Sequence, residues 1–445
     1  DRIALNEITM WAGQPDPYQE LPCGKEKLAE IRKLFFDGKI KEGNDSALKY
    51  LSGKPNTFGT HIPVGDLNLK FNLDEKSISE YRREINLENA ITTVSFKSGD
   101  VNYKREYFCS NPDGILVIRV TSDKSKSISC AVALDLPGKS DVNPAKDQLE
   151  FTGKATSTLK VRGFPDFSKG GVDFEGIIHA SVSGGTINLT DRELIIREAD
   201  ELILIIDIRT SYNNPGFKET CEKTIEKALT KKFTEIREAH IKDYSALFNR
   251  FELSLGKSDA EDLPTDIRFE RYNKGNIDPG LISLFLQYNR YLIISCSREN
   301  SPLPANLQGL WNDNLAANMP WTCDYHLDIN TQQNYWATNV TNLAECNTPL
   351  FNYIEYLAKA GEKTASKVYG SPGWVAHTVT NVWGYTAPGE WPGWGLFPAA
   401  GTWIALHMQE HFNFTGNIDF LKDKAYPILR KNAEFFLDYL VTDPD

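Results

Sequence analysis

Up to about residue 213 the chain carries short runs in which apolar side chains alternate with polar ones or β-branched residues cluster. The runs are 62–71, 91–96, 101–108, 114–120, 128–134 and 202–208, and turn signals such as SGD, NPDG and SGG separate them. This spacing predicts many short strands and a large β-sandwich. One stretch departs from it. Between residue 25 and about 49, Leu28, Ile31, Leu34 and Phe35 fall on one helical face, which predicts a helical insertion. From about 218 to 251 the period is helical and the surface charged, with Ala228, Phe233, Ile236, His240, Tyr244 and Phe248 near helical spacing. A linker helix is expected there, with His240 in a packing role. Past a loop at 257–264 the pattern predicts helices over 281–297, 331–343, 349–363, 400–412 and 419–440. The expected organisation is a β-sandwich domain at 1–213, a helical linker at 214–262 and a helical domain at 263–445.

Composition narrows the function classes. A chain of 445 residues is too long for one core. Its formal charge of −11 and pI near 5.3 argue against a nucleic-acid or anionic-membrane partner, since phosphate neutralisation requires a basic surface. No apolar run approaches a membrane span. The 7 cysteines are an odd number, far apart and without a CxxC pair, which speaks against a zinc site or a disulfide framework. The chain starts at Asp1, without Met or signal peptide, inside the strand-like RIALNEITMW. A longer natural amino terminus is expected, and the compartment stays open.

Candidate chemistry concentrates in residues 304–336, PANLQGLWNDNLAANMPWTCDYHLDINTQQNYW, whose only charges are Asp313, Asp324 and Asp328. Between Arg298 and Lys422 the only basic residues are Lys359, Lys363 and Lys367. Aromatic faces stack on sugar rings, and amides and carboxylates satisfy sugar hydroxyls, so a neutral polyhydroxylated ligand is expected. Asp324, His326, Asp328 and Asn330 are spaced by two; in an extended segment all four face one cavity. A helix starting near Thr331 aims its free amides at the same place. The rival reading is that Asp328 caps that helix and His326 bonds to backbone. Asn306, Gln308 and Trp311 are expected to shape the cavity. A second cluster, His377, Thr378, Thr380, Asn381, Trp383, Glu390, Trp391 and Trp394, suits glycan contacts. It sits on the long, Trp-rich stretch 369–397, of a length that is usually functional. His407, Glu410 and His411 spell HxxEH, an inverted zinc-peptidase signature. Their apolar surroundings and the missing third ligand favour a core helix instead. Four NxS or NxT triplets, at Asn44, Asn188, Asn339 and Asn413, carry little weight.

With those residues in view, the chain resembles glycoside hydrolase family 95, whose founding activity is that of inverting α-1,2-L-fucosidases. The likeness runs through RIALNEITMWAGQPD, PVGDLNL, YRREINLENAITTVSF, YKREYFCSNPDGILVIR, YNRYLIISCSRENSPLPANLQGLWN, DYHLDINTQQNYW and EHFNFTGNIDFLKDKAYP. ANLQGLWN followed by DYHxxIN is its most specific part. The resemblance implies a multidomain chain, β then α: a super-sandwich, a helical linker and an (α/α)6 toroid of which about the first half is present. It also implies inversion without metal or organic cofactor, by two carboxyls roughly 6.5 to 9.5 Å apart. A pair of Asn two apart positions the water, with a His two residues before the first. His326 and Asn330 match; Asp328 stands where the first Asn is expected. That departure leaves L-fucose against L-galactose open.

The family's general acid and base are expected beyond Asp445, which would make these residues an internal fragment, inactive alone. The catalytic assignments are Asp328 and Asn330. Substrate contacts are assigned to His326, Asp324, Trp311, Asn306, Gln308, His377, Asn381, Glu390, Trp391 and Trp394. The partner is a fucosylated or L-galactosylated oligosaccharide. Homo-oligomer formation stays open, and the family favours a periplasmic or secreted place. A non-catalytic carbohydrate-binding protein is the alternative.

Overall fold

A strand covered on both faces needs apolar side chains in both parities. The run Glu201–Thr210 meets that demand. Leu202, Leu204 and Ile206 enter the core between two sheets, whereas Ile205 faces helices on the outside. Its neighbours divide in the same way: Ile118 and Val120 go inward and Ile115 and Val117 outward, as do Ile178 and Ile177. The register agrees, since Leu204 pairs with Ala180 on one side and Ile118 on the other.

The protein is described from a computed structural model covering residues 1–15, 23–53, 58–138, 140–156, 170–312, 322–389 and 391–442. One antiparallel sheet runs, in spatial order, Arg2–Leu5, Gly65–Phe71, Ile128–Asp135, Glu193–Ala199 and Thr186–Leu189. The second runs Ser140–Ala145, Gln148–Lys154, Asp173–Ser183, Glu201–Thr210, Ile115–Ser122, Val101–Ser110, Ile91–Ser98 and Ile78–Asn86. A β-rich sandwich therefore leads the chain, and all six expected strand runs lie in it. The strands that patterning passed over include both edges of the larger sheet. Ile78–Asn86 is exposed almost throughout, and Ser140–Ala145 carries Pro144, which an edge tolerates because no ladder donor is needed there.

Two expected single helices are each two. The insertion consists of α1 (Leu28–Phe36) and α2 (Ile40–Tyr50), separated at Gly38, whose φ of 71° ends the first. Leu28, Ile31, Ala47 and Leu51 pack against Val368, Tyr369, Val375 and Phe435, so the insertion serves the helical part. The linker is α3 (Phe217–Leu229) and α4 (Phe233–Phe248). Cys221, Ile225 and Ala228 of α3, one or two turns apart, cover the outer face of the large sheet. His240 packs as expected: its Nε2 lies 2.8 Å from the Asn89 carbonyl and its ring stacks on Phe108.

The helical part comprises α5 (Thr265–Asn273), which patterning missed, α6 (Pro279–Cys296), α7 (Asn330–Val340), α8 (Thr348–Thr364), the single turn α9 (Pro392–Gly395) and α10 (Ala400–Thr415). Ile418–Phe420 then continues through a π turn, Leu421–Ala425, into Tyr426–Tyr439. Among the described residues no helix is long and apolar enough to cross a membrane.

Sandwich and helices meet at a close joint. Trp11 stacks on Tyr325 at 5.6 Å and meets Trp383 edge-on, in a core that includes Tyr353 and Leu327. Gly59 fits between them with φ 91°; a Cβ there would stand 2.4 Å from the Trp383 ring and 2.5 Å from the Ala12 carbonyl. Gly59→Ala is therefore expected to lower stability by about 1–3 kcal/mol, since overpacking and left-handed strain act together. Thermal unfolding checks this, and an unchanged melting temperature would show that the joint relaxes freely.

Candidate functional site

The site is built on a strand that ends abruptly. Tyr325 and His326 pair with Thr380 and Val379, and Leu327 N–H adds a bond to Thr378 O at 2.7 Å. The chain then turns, and α7 begins at Asn330. The expectation of an extended segment from Asp324 to Asn330 is thus corrected: alternation ends after His326, and Asp328 lies in the turn. The turn still keeps Asp328 near His326, because its charge acts on that ring.

The four residues differ in access. Asp324 is wholly buried, with one carboxylate oxygen 2.8 Å from His326 Nε2 and the other accepting from the Thr322 hydroxyl. His326, Asp328 and Asn330 are half-buried. Burial opposes charge on His326, but the charge and hydrogen bond of Asp324, with Asp328 adding to them, raise the imidazole above its ordinary value. The Trp394 ring stands edge-on to His326 at 6.0 Å. Trp394 is partly exposed and Trp391 is 70% exposed, and the Thr378 hydroxyl ties their turn to the strand through Trp394 O at 2.7 Å.

A tight turn supplies the wall. Asn306 and Gly309 exchange backbone bonds of 3.0 and 2.9 Å, and Leu307 N–H reaches Asp324 O at 2.9 Å. Asn306 is buried; its Oδ1 accepts from Gln308 N at 2.9 Å, and its carbonyl accepts from Asn334 Nδ2 at 2.9 Å. Cys323 Sγ lies 3.6 Å from Asn306 Oδ1 and 3.7 Å from Gln308 Oε1. Trp311 is exposed beside Gly309. Asn306 Nδ2, Asp328 Oδ1, Thr331 Oγ1 and Gln332 Oε1 are buried atoms without a hydrogen-bond partner. Orphaned polar atoms are costly, and here they gather where strand, turn and helix converge.

Two expected sugar contacts are corrected. His377 is fully buried with both ring nitrogens engaged, Nε2 with the Tyr369 hydroxyl at 2.6 Å and Nδ1 with Thr386 O at 2.8 Å. Asn381 is buried too. Its amide donates to Phe58 O, and its Oδ1 accepts from Trp383 N at 3.0 Å and Tyr385 N at 3.2 Å. Both organise the loop from buried positions. Glu390 lies outside the described residues. In the HxxEH stretch His411 packs between Phe351 and Phe420, at 4.9 and 4.7 Å, and His407 is buried. A separate cleft of about 390 Å³, lined by Asn111, Asp243, Arg298, Glu299 and Glu345 with Leu247 and Asn300, carries no aromatic ring for stacking.

Sequence reasoning overlooked Thr322 and Thr60. Thr322 was legible in principle, two residues before Asp324. Thr60, whose hydroxyl accepts from Cys323 N at 2.8 Å, is 263 positions away and gave no local signal.

Against known proteins, the family model "Glycosyl hydrolase family 95 catalytic domain" matches residues 232–445 and "Glycosyl hydrolase family 65, N-terminal domain" matches residues 1–215. Alpha-L-fucosidase 2 of Arabidopsis thaliana is 34% identical across 100% of the chain. The chain belongs to glycoside hydrolase family 95. "Probable alpha-fucosidase A" of Aspergillus niger is 30% identical across 99% of this family 95 chain. The chain spans about half the length of these curated relatives, 55% and 56%. In fold it is similar to a solved human-microbiome protein provisionally named a kojibiose phosphorylase. The TM-score is 0.56 at 11% identity, covering 86% of this chain and 48% of the other.

Burial depresses His61, His377 and His407 to about 4. Unfolded, each titrates near about 6.5. The stability tied to their neutral forms is complete above that value and is lost as pH falls from it toward about 4. The protein is expected to unfold at lower urea concentration at pH 5 than at pH 7, and His377→Gln to flatten that dependence. An identical pH slope in the variant would count against a buried neutral His377.

Proposed function

We propose that the protein is an inverting glycoside hydrolase that removes a terminal α-L-fucosyl, or related α-L-galactosyl, residue from oligosaccharides. Family membership and relatives named as fucosidases support the reaction class. One structural observation carries the site: His326, Asp328 and Asn330 meet at a strand-to-helix junction beside the Trp394 ring and several orphaned polar atoms. Asp328 and Asn330 hold and orient the attacking water. His326 binds a sugar hydroxyl, Asn306, Gln308 and Trp311 shape the wall, and Trp391 and Trp394 stack on the glycan. A carboxylate at Asp328 is a stronger acceptor than an amide and shares in polarising that water. The helical part is read as belonging to an (α/α)6 toroid, with a linker at 214–262 joining it to the sandwich.

The test uses the complete gene product on an α-1,2-linked L-fucoside. The first sugar released is expected to be the β-anomer, seen by proton NMR before mutarotation. Asn330→Ala and His326→Ala are each expected to lower kcat/KM about a hundredfold or more, and Asp328→Asn to lower kcat without abolishing binding. Binding of fucosylated glycan without any hydrolysis would favour a carbohydrate-binding protein instead. An α-anomer as first product would remove the inverting mechanism.

A further inference from the structure

Asp324 was expected to touch sugar, and its surroundings argue for a different role. Its side chain is 0% exposed, so a ligand hydroxyl reaches it only by displacing protein. One oxygen accepts from the Thr322 hydroxyl, itself buried, and the other lies at ion-pair distance, 2.8 Å, from His326 Nε2. The main chain at Asp324 is held as well, by Leu307 N–H on its carbonyl. His326 differs: its side chain is 14% exposed, and among the described residues Nδ1 has no hydrogen-bond partner.

We propose that Asp324 is a positioning residue whose buried carboxylate fixes the ring of His326 through Nε2, leaving Nδ1 as a hydrogen-bond donor to a hydroxyl of a neutral sugar. This rests on the sugar site proposed above and assigns the chemistry of one contact within it. An imidazole bonded to a carboxylate through Nε2 presents a lone pair at Nδ1 when neutral and an N–H when protonated. Among the described residues the charged groups acting on the ring are Asp324 and Asp328, and the neighbour from the opposite loop, Trp394, is uncharged. Two carboxylates around one imidazole favour the protonated, donating form. His326 then offers a proton and Asp328 accepts one, which is the pairing a sugar hydroxyl uses, since it both donates and accepts.

The experiment is a pH titration of the His326 ring by NMR on the histidine-labelled chain, its resonance assigned with His326→Gln. In sugar-free protein the midpoint is expected above about 6.5, and Asp324→Asn is expected to lower it by about one pH unit. Asp328→Asn lowers it less. A midpoint at or below the ordinary histidine value, or one that Asp324→Asn leaves in place, overturns the assignment. Should Asp324→Asn not fold, the wild-type midpoint alone decides. Adding L-fucose is expected to raise the midpoint, because the sugar binds the donor form. A high, Asp324-dependent midpoint with no response of His326 or the Trp394 indole to L-fucose would uphold the positioning role of Asp324 and count against the fucosyl site itself.

Discussion

The site depends on a backbone clamp between two parts of the chain that are far apart in sequence. His61 N–H bonds Cys323 O at 2.8 Å, the Thr60 hydroxyl accepts from Cys323 N, and Asn381 donates to Phe58 O. Residues 58–61 thus hold the residues that flank both strands of the small two-stranded sheet carrying His326, Cys323 on one and Asn381 on the other. Without them the Tyr325–His326 pairing with Val379–Thr380 is a two-residue ladder, too short to persist alone. The sandwich is therefore more than a neighbouring domain, because the residues that set the orientation of His326 include some of its own. The fully buried stack of Trp11 on Tyr325 excludes water from this clamp and strengthens its hydrogen bonds.

The fold was legible wherever period and burial coincide. Strands such as Ile115–Ser122 and helices such as α8 have apolar faces that burial enforces. Edge strands do not, which is why Ile78–Asn86 left no pattern. Helix breaks were misread for a related reason: side-chain periodicity carries across Gly38, and only the backbone there records the reversal.

The site was legible in composition more than in detail. The amide-rich, aromatic character of 304–336 drew attention to this segment, and the structure sets Asp324 against His326, with Asp328 in the turn that follows and Asn330 at the start of α7. Roles were harder to read, because a buried polar residue and a ligand-facing one look alike in sequence. His377 and Asn381 belong to the same Asn, His and Trp palette as the proposed sugar contacts, yet the hydrogen bonds they make are to protein. Only the partner count distinguishes them from Asn306, whose Nδ2 is buried and unpaired. Long-range partners such as Thr60 are set by tertiary packing and carry no local periodicity.

Asp328 stands where the resemblance leads one to expect Asn, and electrostatics shows how an Asp is accommodated there. An Asp in place of Asn adds a negative charge to a half-buried site whose surroundings contain little basic side chain. An unpaired charge there would be costly. His326 offsets it: Asp328 adds to Asp324 in raising the imidazole above its ordinary value, against the opposing effect of burial. An Asn beside a neutral imidazole and an Asp beside an imidazolium carry the same local charge, but they order their donors and acceptors differently. The first presents a mixed amide beside a ring lone pair. The second presents a pure acceptor beside a pure donor, an arrangement that binds a hydroxyl or a water in one orientation.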